Sequence, residues 1–469
     1  MLCGIRNIRK VLNLADGKTL VPSLTGINVA RGPRLSNALS VLQLFNTTIT
    51  FNNLRISSSK PWMAIRDLSD GETILTIPRS ALLNTETAGK FLDPSVIGSL
   101  SNMPEWLNLT ALILAEAQNT NSRWGPYLSI LPEKLDSLVF WSHNELSELQ
   151  ASAVVHKIEK ESSEKLFSEH IMPLGLSNVN YYSCHLIASI IMAYAFDVPA
   201  MQSEDDNDGG ENDTDMLVSD DEKEESTLSM VPLADLFNAD AEKCNVRLFC
   251  DKEDLEMRTV RPISSGEELF NDYGALPQSD LLRRYGYITE NYAQYNVVEI
   301  FSRTLVSLFT NQSTSELPES LSLNPMSEKD LNERIALAVR EDVFEESYDI
   351  YHSFTDEPSI PEQLIALVYI ILLKKRHFMA IDSSLETLPG RSKLCTGLVG
   401  QVLVVAFKKR ETEYATSLAM DEEILKSSSL SRRMFMAVTV RLGEKRILQE
   451  AIQEASMFCA SNKRMINND

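Results

Sequence analysis

The chain has 469 residues, with 66 acidic against 44 basic side chains and a formal net charge of −22. That excess of anions repels nucleic-acid backbones and anionic lipid surfaces and attracts cations, so no direct nucleic-acid binding is expected and a basic protein is favoured as substrate or partner. Hydrophobic content of 43% is enough to fill the cores of two or three domains.

The first fifty-five residues hold one acid, Asp16, among Arg6, Arg9, Lys10, Lys18, Arg31, Arg34 and Arg55, a weak transit-peptide pattern that equally suits a disordered or wrongly assigned extension. Strand-like text follows: Ile49–Arg55 alternates loosely, and Asp67–Ser80 reads turn, strand, proline stop. Glu105–Gln118 places Trp106, Leu109, Leu112, Ile113 and Ala117 at three- and four-residue spacing, which predicts a helix. Helices are also expected over Asn144–Phe167 and Tyr181–Phe196. Met201–Ser226 then carries twelve acids and one lysine, a net of −11 and half the charge of the chain. With almost nothing to bury it predicts a disordered loop, read first as a solvated linker and second as an electrostatic lure for a basic substrate.

Strands return at Val246–Phe249 and Glu256–Arg261, with a turn at Ser264–Gly266. Beyond Asn296 the pattern is helical throughout, over Val297–Phe309, Glu328–Ala338, Pro361–Lys375, Gly397–Thr416 and Arg432–Ser456. The longest apolar run, Leu364–Leu373, has half the length a bilayer requires and reads as a buried helix. Six scattered cysteines form no CxxC pair, which points to a reducing compartment. Cys244 and Cys250 lack the second pair or nearby histidine of a zinc site.

Two blocks carry the chemistry. In Val231–Phe249, Asp235 and Asn238 follow an apolar entry in a turn rich in Asn, Asp and Ala, and asparagine both donates and accepts while tolerating unusual backbone angles. In Gly266–Asn291, Tyr273, Tyr285 and Tyr287 fall within fifteen residues, Tyr273 in the turn-like NDYG. Taken alone, both blocks suit amphipathic core tyrosines and an ordinary turn as well as a site.

PLADLFNAD…CNVRL and GEELFNDYG…LLRRYGY resemble the two C-terminal signature motifs of SET-domain lysine methyltransferases. GETILTIPRS (Gly71–Ser80) resembles the strand after their N-terminal motif, and SRWGPYLSILP (Ser122–Pro132) resembles a stretch in the inserted helices of the branch that includes plant Rubisco methyltransferase. Ser431–Ile452 is similar to the end of that branch's helical substrate-binding domain. The likeness runs from about Lys60 to Ile452 and is greatest to the fungal ribosomal-protein lysine methyltransferases.

The resemblance implies an α+β fold: a β-rich SET core with a pseudoknot over residues 56–292, a helical insertion over about 84–229, and an all-α substrate-binding domain over 297–469. It implies methyl transfer from S-adenosylmethionine to a lysine of a basic protein, with a ribosomal protein ahead of histone-like targets, in a nuclear or cytoplasmic monomer without metal or membrane. The rival expectation is a catalytically inactive SET-fold binding module. By position Tyr273 is the catalytic tyrosine. Asn238, Ala239, Tyr194, Tyr285 and Ala64 are the cofactor contacts, and Asp235, Trp124 and again Tyr285 the substrate side. Two positions depart from the family pattern. Ala239 stands where histidine is usual, and Ser59 and Pro61 stand at two glycine positions, where proline removes an N–H from the cofactor side.

Overall fold

The computed structural model describes residues 54–55, 62–88, 103–199, 226–310, 326–352, 358–384 and 386–458. The N-terminal extension up to residue 53, the Ser59–Pro61 motif and nearly all of the acidic run lie outside the described residues. The chain divides into two compact units. One comprises residues 1–140, 159–274 and 283–287, and the other residues 141–158, 275–282 and 288–469.

The first unit is built on short strands: β1 (Leu54–Arg55), β2 (Met63–Ala64), β3 (Thr73–Pro78), β4 (Ala195–Pro199), β5 (Ser226–Met230), β6 (Asn238–Ala239), β7 (Val246–Cys250), β8 (Asp254–Thr259) and β9 (Phe270–Asn271). β3, β8 and β7 form an antiparallel sheet in that order, and β4 pairs with β5. Pro78 ends β3, as the proline stop predicts, because it fixes φ and has no N–H to continue the ladder.

Three helices pack on these strands. Helix α1 (Glu105–Glu116) is buried on two sides: Leu109, Leu112 and Ile113 join the core of Trp62, Ile74, Ile77, Met230 and Leu255, while Leu107, Ala111 and Leu114 join Phe167, Ile171 and Cys184. The short α2 (Gly125–Leu128) enters the first of these cores through Tyr127. Helix α3 (Tyr181–Tyr194) starts from a capping box of Asn180 and Ser183 and stops at Ala195, where extended backbone opens β4.

The expected helix over Asn144–Phe167 is instead four short pieces: His143–Ser147, Ala153–Ile158, Lys160–Leu166 and the wide turn Phe167–Ile171. Gln150 and Glu159 break it, with φ of 53° and 48°, a conformation that a right-handed helix cannot continue through.

In the second unit, Val297–Phe301 is a strand, β10, rather than the start of a helix. It pairs antiparallel with β11 (Ser347–Tyr351), so this mostly helical unit also contains a two-stranded sheet. The β-branched run Val297-Val298-x-Ile300 suits a strand, and its partner lies fifty residues away, beyond the reach of local periodicity. Its main helices are α4 (Glu328–Arg340), α5 (Glu362–Leu372), α6 (Gly397–Thr412), α7 (Leu418–Leu425) and α8 (Arg432–Ser456). Ser327, Thr396, Ser417 and Ser431 cap four of them with side-chain oxygens. Every residue of Leu364–Leu373 is buried, as the apolar run predicts. Among the described residues no helix is long and apolar enough to cross a membrane.

Candidate functional site

The candidate site residues all fall in the first unit, and a small parallel pairing gathers the central ones. β6 lies beside β9 with Asn238 opposite Phe270 and Ala239 opposite Asn271. Segments thirty-two residues apart in sequence thus run side by side, and Tyr273 follows two residues after β9. Buried Asn245 fastens the arrangement. Its N–H donates to the Phe270 carbonyl at 3.0 Å, its amide donates to the Glu268 carbonyl at 2.9 Å, and its side-chain oxygen accepts the Phe270 N–H at 2.8 Å. Sequence reading quoted Asn245 within a motif without marking it. The missed signal was an asparagine directly before a strand, where a side chain can substitute for backbone partners.

β2 completes the cluster. Met63 bridges Glu268, the Ala64 N–H donates to the Glu267 carbonyl at 3.0 Å, and the Ala64 carbonyl accepts the Gly266 N–H at 2.8 Å. Ala64 is therefore buried with both backbone groups engaged in the fold. Just before it, the buried Trp62 stacks on Phe237 at 5.2 Å between ring centroids, packing the entry of β2 against the residue preceding Asn238.

At the centre the Asn238 amide donates to Glu268 Oε1 at 2.6 Å. Tyr273 stacks on Tyr285, with centroids 4.3 Å apart and planes 6° from parallel, and Tyr287 meets the far ring edge-to-face at 6.3 Å. Burial pushes the Tyr285 hydroxyl up to about 12, so it stays a neutral hydrogen-bonding group. The glycine between Tyr285 and Tyr287 is required twice over. Gly286 has φ of +71°, and a Cβ there would sit 2.5 Å from the backbone carbon of Asp136.

Asp235 lies deeper. It sits in a single 3₁₀ turn, Ala234–Leu236, entered through Leu233, which is fully buried at φ +77°. A left-handed leucine costs on the order of 1–3 kcal/mol and persists where its surroundings over-determine it, commonly at functional sites. The hydroxyl of Tyr127 donates to Asp235 Oδ2 at 2.6 Å. Burial pushes the Asp235 carboxyl up to about 7, opposed by that hydrogen bond and by the neighbouring backbone N–H groups of Leu233 and Asp235. Burial and the Asp235 charge together hold the Tyr127 hydroxyl far above its ordinary range.

The remaining two candidates are placed differently. Trp124 is fully buried in the core, its indole N–H donating to the Ala81 carbonyl at 3.2 Å and its ring covered by the Arg123 guanidinium at 5.0 Å. Its neighbour Tyr127, unmarked in the sequence reading, is the residue of that motif that reaches Asp235. Tyr194 ends α3, half-buried against the core and close enough for its charge to act on Tyr127.

The SET domain pattern matches residues 63–274, and that of the Rubisco LSMT substrate-binding domain matches residues 313–448. Ribosomal lysine N-methyltransferase 4 of Saccharomyces cerevisiae is 31% identical over 328 residues, 66% of this chain and 64% of that protein, so the match spans just under two thirds of the relative. N-lysine methyltransferase setd6 of Xenopus laevis is 26% identical over 83% of this chain and 88% of its own. Among solved structures, the SET domain of LSMT bound to lysine and AdoHcy superposes with a TM-score of 0.66 at 20% identity, covering 92% of both chains.

Proposed function

We propose that this chain, which matches the SET domain over residues 63–274 and the Rubisco LSMT substrate-binding domain over residues 313–448, is an S-adenosylmethionine-dependent protein-lysine N-methyltransferase. The observation that carries the reading is the parallel pairing of Asn238–Ala239 with Phe270–Asn271, followed at once by the stacked pair Tyr273 and Tyr285.

The donor set suits S-adenosylmethionine. The amide of Asn238 and the carboxylate of Glu268, 2.6 Å apart, give a polar and anionic lining matched to a ligand with an amino-acid head and a cationic sulfur. When bound, that cofactor supplies the methyl group. Everything else falls to the chain's own residues and is a matter of positioning, since displacement at a sulfonium by an amine is in-line and needs no covalent enzyme intermediate. Asn238 orients the ligand's polar end. Tyr273, its ring clamped flat on Tyr285, presents a hydroxyl that cannot wander and orients the amine by a hydrogen bond. The lysine must react neutral, and the half-buried aromatic stack, backed by buried Tyr287, disfavours the ammonium form by limiting water.

The substrate reading is finer. The net charge of −22 suits a Lys/Arg-rich partner. The names of the fungal relatives, ribosomal lysine N-methyltransferase 4 in Saccharomyces cerevisiae and Schizosaccharomyces pombe, suggest a ribosomal protein.

The test is Tyr273→Phe, assayed with labelled S-adenosylmethionine on a basic ribosomal-protein fraction. Transfer falls by about 10²–10³-fold, the usual effect of losing one orienting hydrogen-bonding group at a reacting centre, while the melting temperature holds. Full activity in this variant overturns the assignment.

A further inference from the structure

We propose that Tyr127 is a positioning residue for methyl transfer: it fixes one oxygen of the buried Asp235 carboxylate and leaves the other as acceptor for the substrate's amine nitrogen. This rests on the methyltransferase reading and assigns a role within it to a residue of the helical insertion.

Three observations carry it. First, the two residues lie 108 positions apart yet meet at 2.6 Å in a buried setting, so the contact ties α2 to the turn that leads into β6. The ring of Tyr127 is fully buried, and its helix is anchored next door by the indole N–H of Trp124 on the Ala81 carbonyl. Second, the turn is strained at Leu233 and Asn238 follows Asp235 by three residues, so a pin at Asp235 sets the path of the backbone that delivers Asn238 and Ala239 to β9. Third, Asp235 Oδ1 is buried and has no hydrogen-bond partner among the described residues. A buried carboxylate oxygen left without a donor is costly, and in a site it asks for a donor from the ligand. The amine of a lysine is the donor that the proposed reaction brings.

The charge state of the pair supports the same assignment. Burial holds Asp235 at about 7, and the Tyr127 hydroxyl is the side chain that pulls it down. The groups that face the pair are Tyr194, through Tyr127, and the backbone N–H groups of Leu233 and Asp235. Removing the hydroxyl therefore lets Asp235 hold its proton to higher pH, and a protonated Asp235 no longer offers an anionic acceptor.

The experiment measures kcat/KM against pH from 5.5 to 9 for the full chain, with S-adenosylmethionine and a basic ribosomal-protein fraction. It compares wild type, Tyr127→Phe, Asp235→Asn and the double variant, with S-adenosylmethionine affinity by calorimetry alongside. In Tyr127→Phe the acid limb moves up by about one pH unit, a roughly tenfold loss at pH 6 that is recovered at pH 9, with cofactor affinity unchanged. In Asp235→Asn that limb disappears, and adding Tyr127→Phe to it leaves the profile where it was. A Tyr127→Phe profile that is lowered evenly at every pH, or is identical to wild type, overturns the proposal. So does a further shift in the double variant, and so does an Asp235→Asn variant that keeps the acid limb, a readout that stands if the single tyrosine variant fails to fold. Wild type that binds S-adenosylmethionine but methylates no basic protein overturns the methyltransferase reading itself, and is told apart by the absence of any profile.

Discussion

Asp235 in the first unit and Asp421 in the second are both buried carboxylates, and their surroundings treat them in opposite ways. Asp421 Oδ1 accepts from the Arg441 guanidinium at 2.8 and 3.1 Å and from the Thr416 hydroxyl at 2.8 Å, while Oδ2 takes the ammonium of buried Lys445. Burial alone pushes Asp421 upward, but the hydrogen bonds from Arg441, Lys445 and Thr416 outweigh it and hold the group below its ordinary value. Among the described residues Asp235 has one side-chain donor, Tyr127, and no cation, so burial dominates and raises it to about 7. A saturated buried carboxylate is a structural fixture. A half-matched one is kept available, and perturbed titration in a strained turn next to a binding strand is where function is expected. The Asp421 cluster joins α6–α7 loop residue Thr416 to α7 and α8, and has no comparable strain.

The contrast can be broken at either end. The largest effect is expected from Asp421→Asn, which leaves the buried Lys445 ammonium without its paired carboxylate and Arg441 with Glu148 alone. Urea unfolding of the second unit should show a loss of about 3–5 kcal/mol. Next comes the dependence on pH, which has opposite signs in the two places. Asp235 is held above its unfolded value of 3.8, so its contribution is fully present below about pH 4 and is lost as pH rises towards 7. The span corresponds to on the order of 4 kcal/mol before any ligand binds. Asp421 is held below its unfolded value, so its contribution is present above about pH 4 and is lost as pH falls further. Hydrogen exchange at pH 5 and pH 8 should therefore show residues 226–239 better protected at the lower pH. Asp235→Asn should remove that difference while leaving residues 432–456 unchanged. Exchange that is insensitive to pH in the wild-type turn would contradict the raised carboxyl.

A smaller contrast concerns two glycines. In Gly286→Ala the new methyl meets the main chain of Asp136 and Ser137 at 2.5 and 2.7 Å in a left-handed conformation, where nothing can yield cheaply. A loss of about 2–3 kcal/mol is expected, together with disturbance of the tyrosine stack. Gly443 is helical and its Cβ would meet the amide nitrogen of the Asn296 side chain at 2.7 Å. Asn296 is paired with Gln278 at 2.9 and 3.0 Å, so some strain follows, but alanine's helix preference offsets part of it. Thermal unfolding should place Gly443→Ala within about 1 kcal/mol of wild type.

Much of the fold was legible because it rests on local rules. The proline stop of β3 and the buried run Leu364–Leu373 follow from residue type and spacing. The signature blocks likewise marked Asn238 and Tyr273. Other features obeyed partners that periodicity cannot see. Val297–Phe301 has apolar residues that fit a helix until Ser347–Tyr351 supplies a ladder, and Asn144–Phe167 reads as one helix until two left-handed residues divide it.

By itself, the order of residue types determined where chain reversals, helix starts and apolar faces fall, because these depend on steric and hydrogen-bonding preferences within a few residues. Tertiary structure alone decided that Tyr127 meets Asp235, that Asn245 fastens β6 beside β9, and that one buried aspartate is neutralised by cations while the other is left half-matched. Those outcomes depend on which groups are brought together after water is removed, and a carboxylate's charge in such a place is set by neighbours that lie from twenty to more than a hundred positions away.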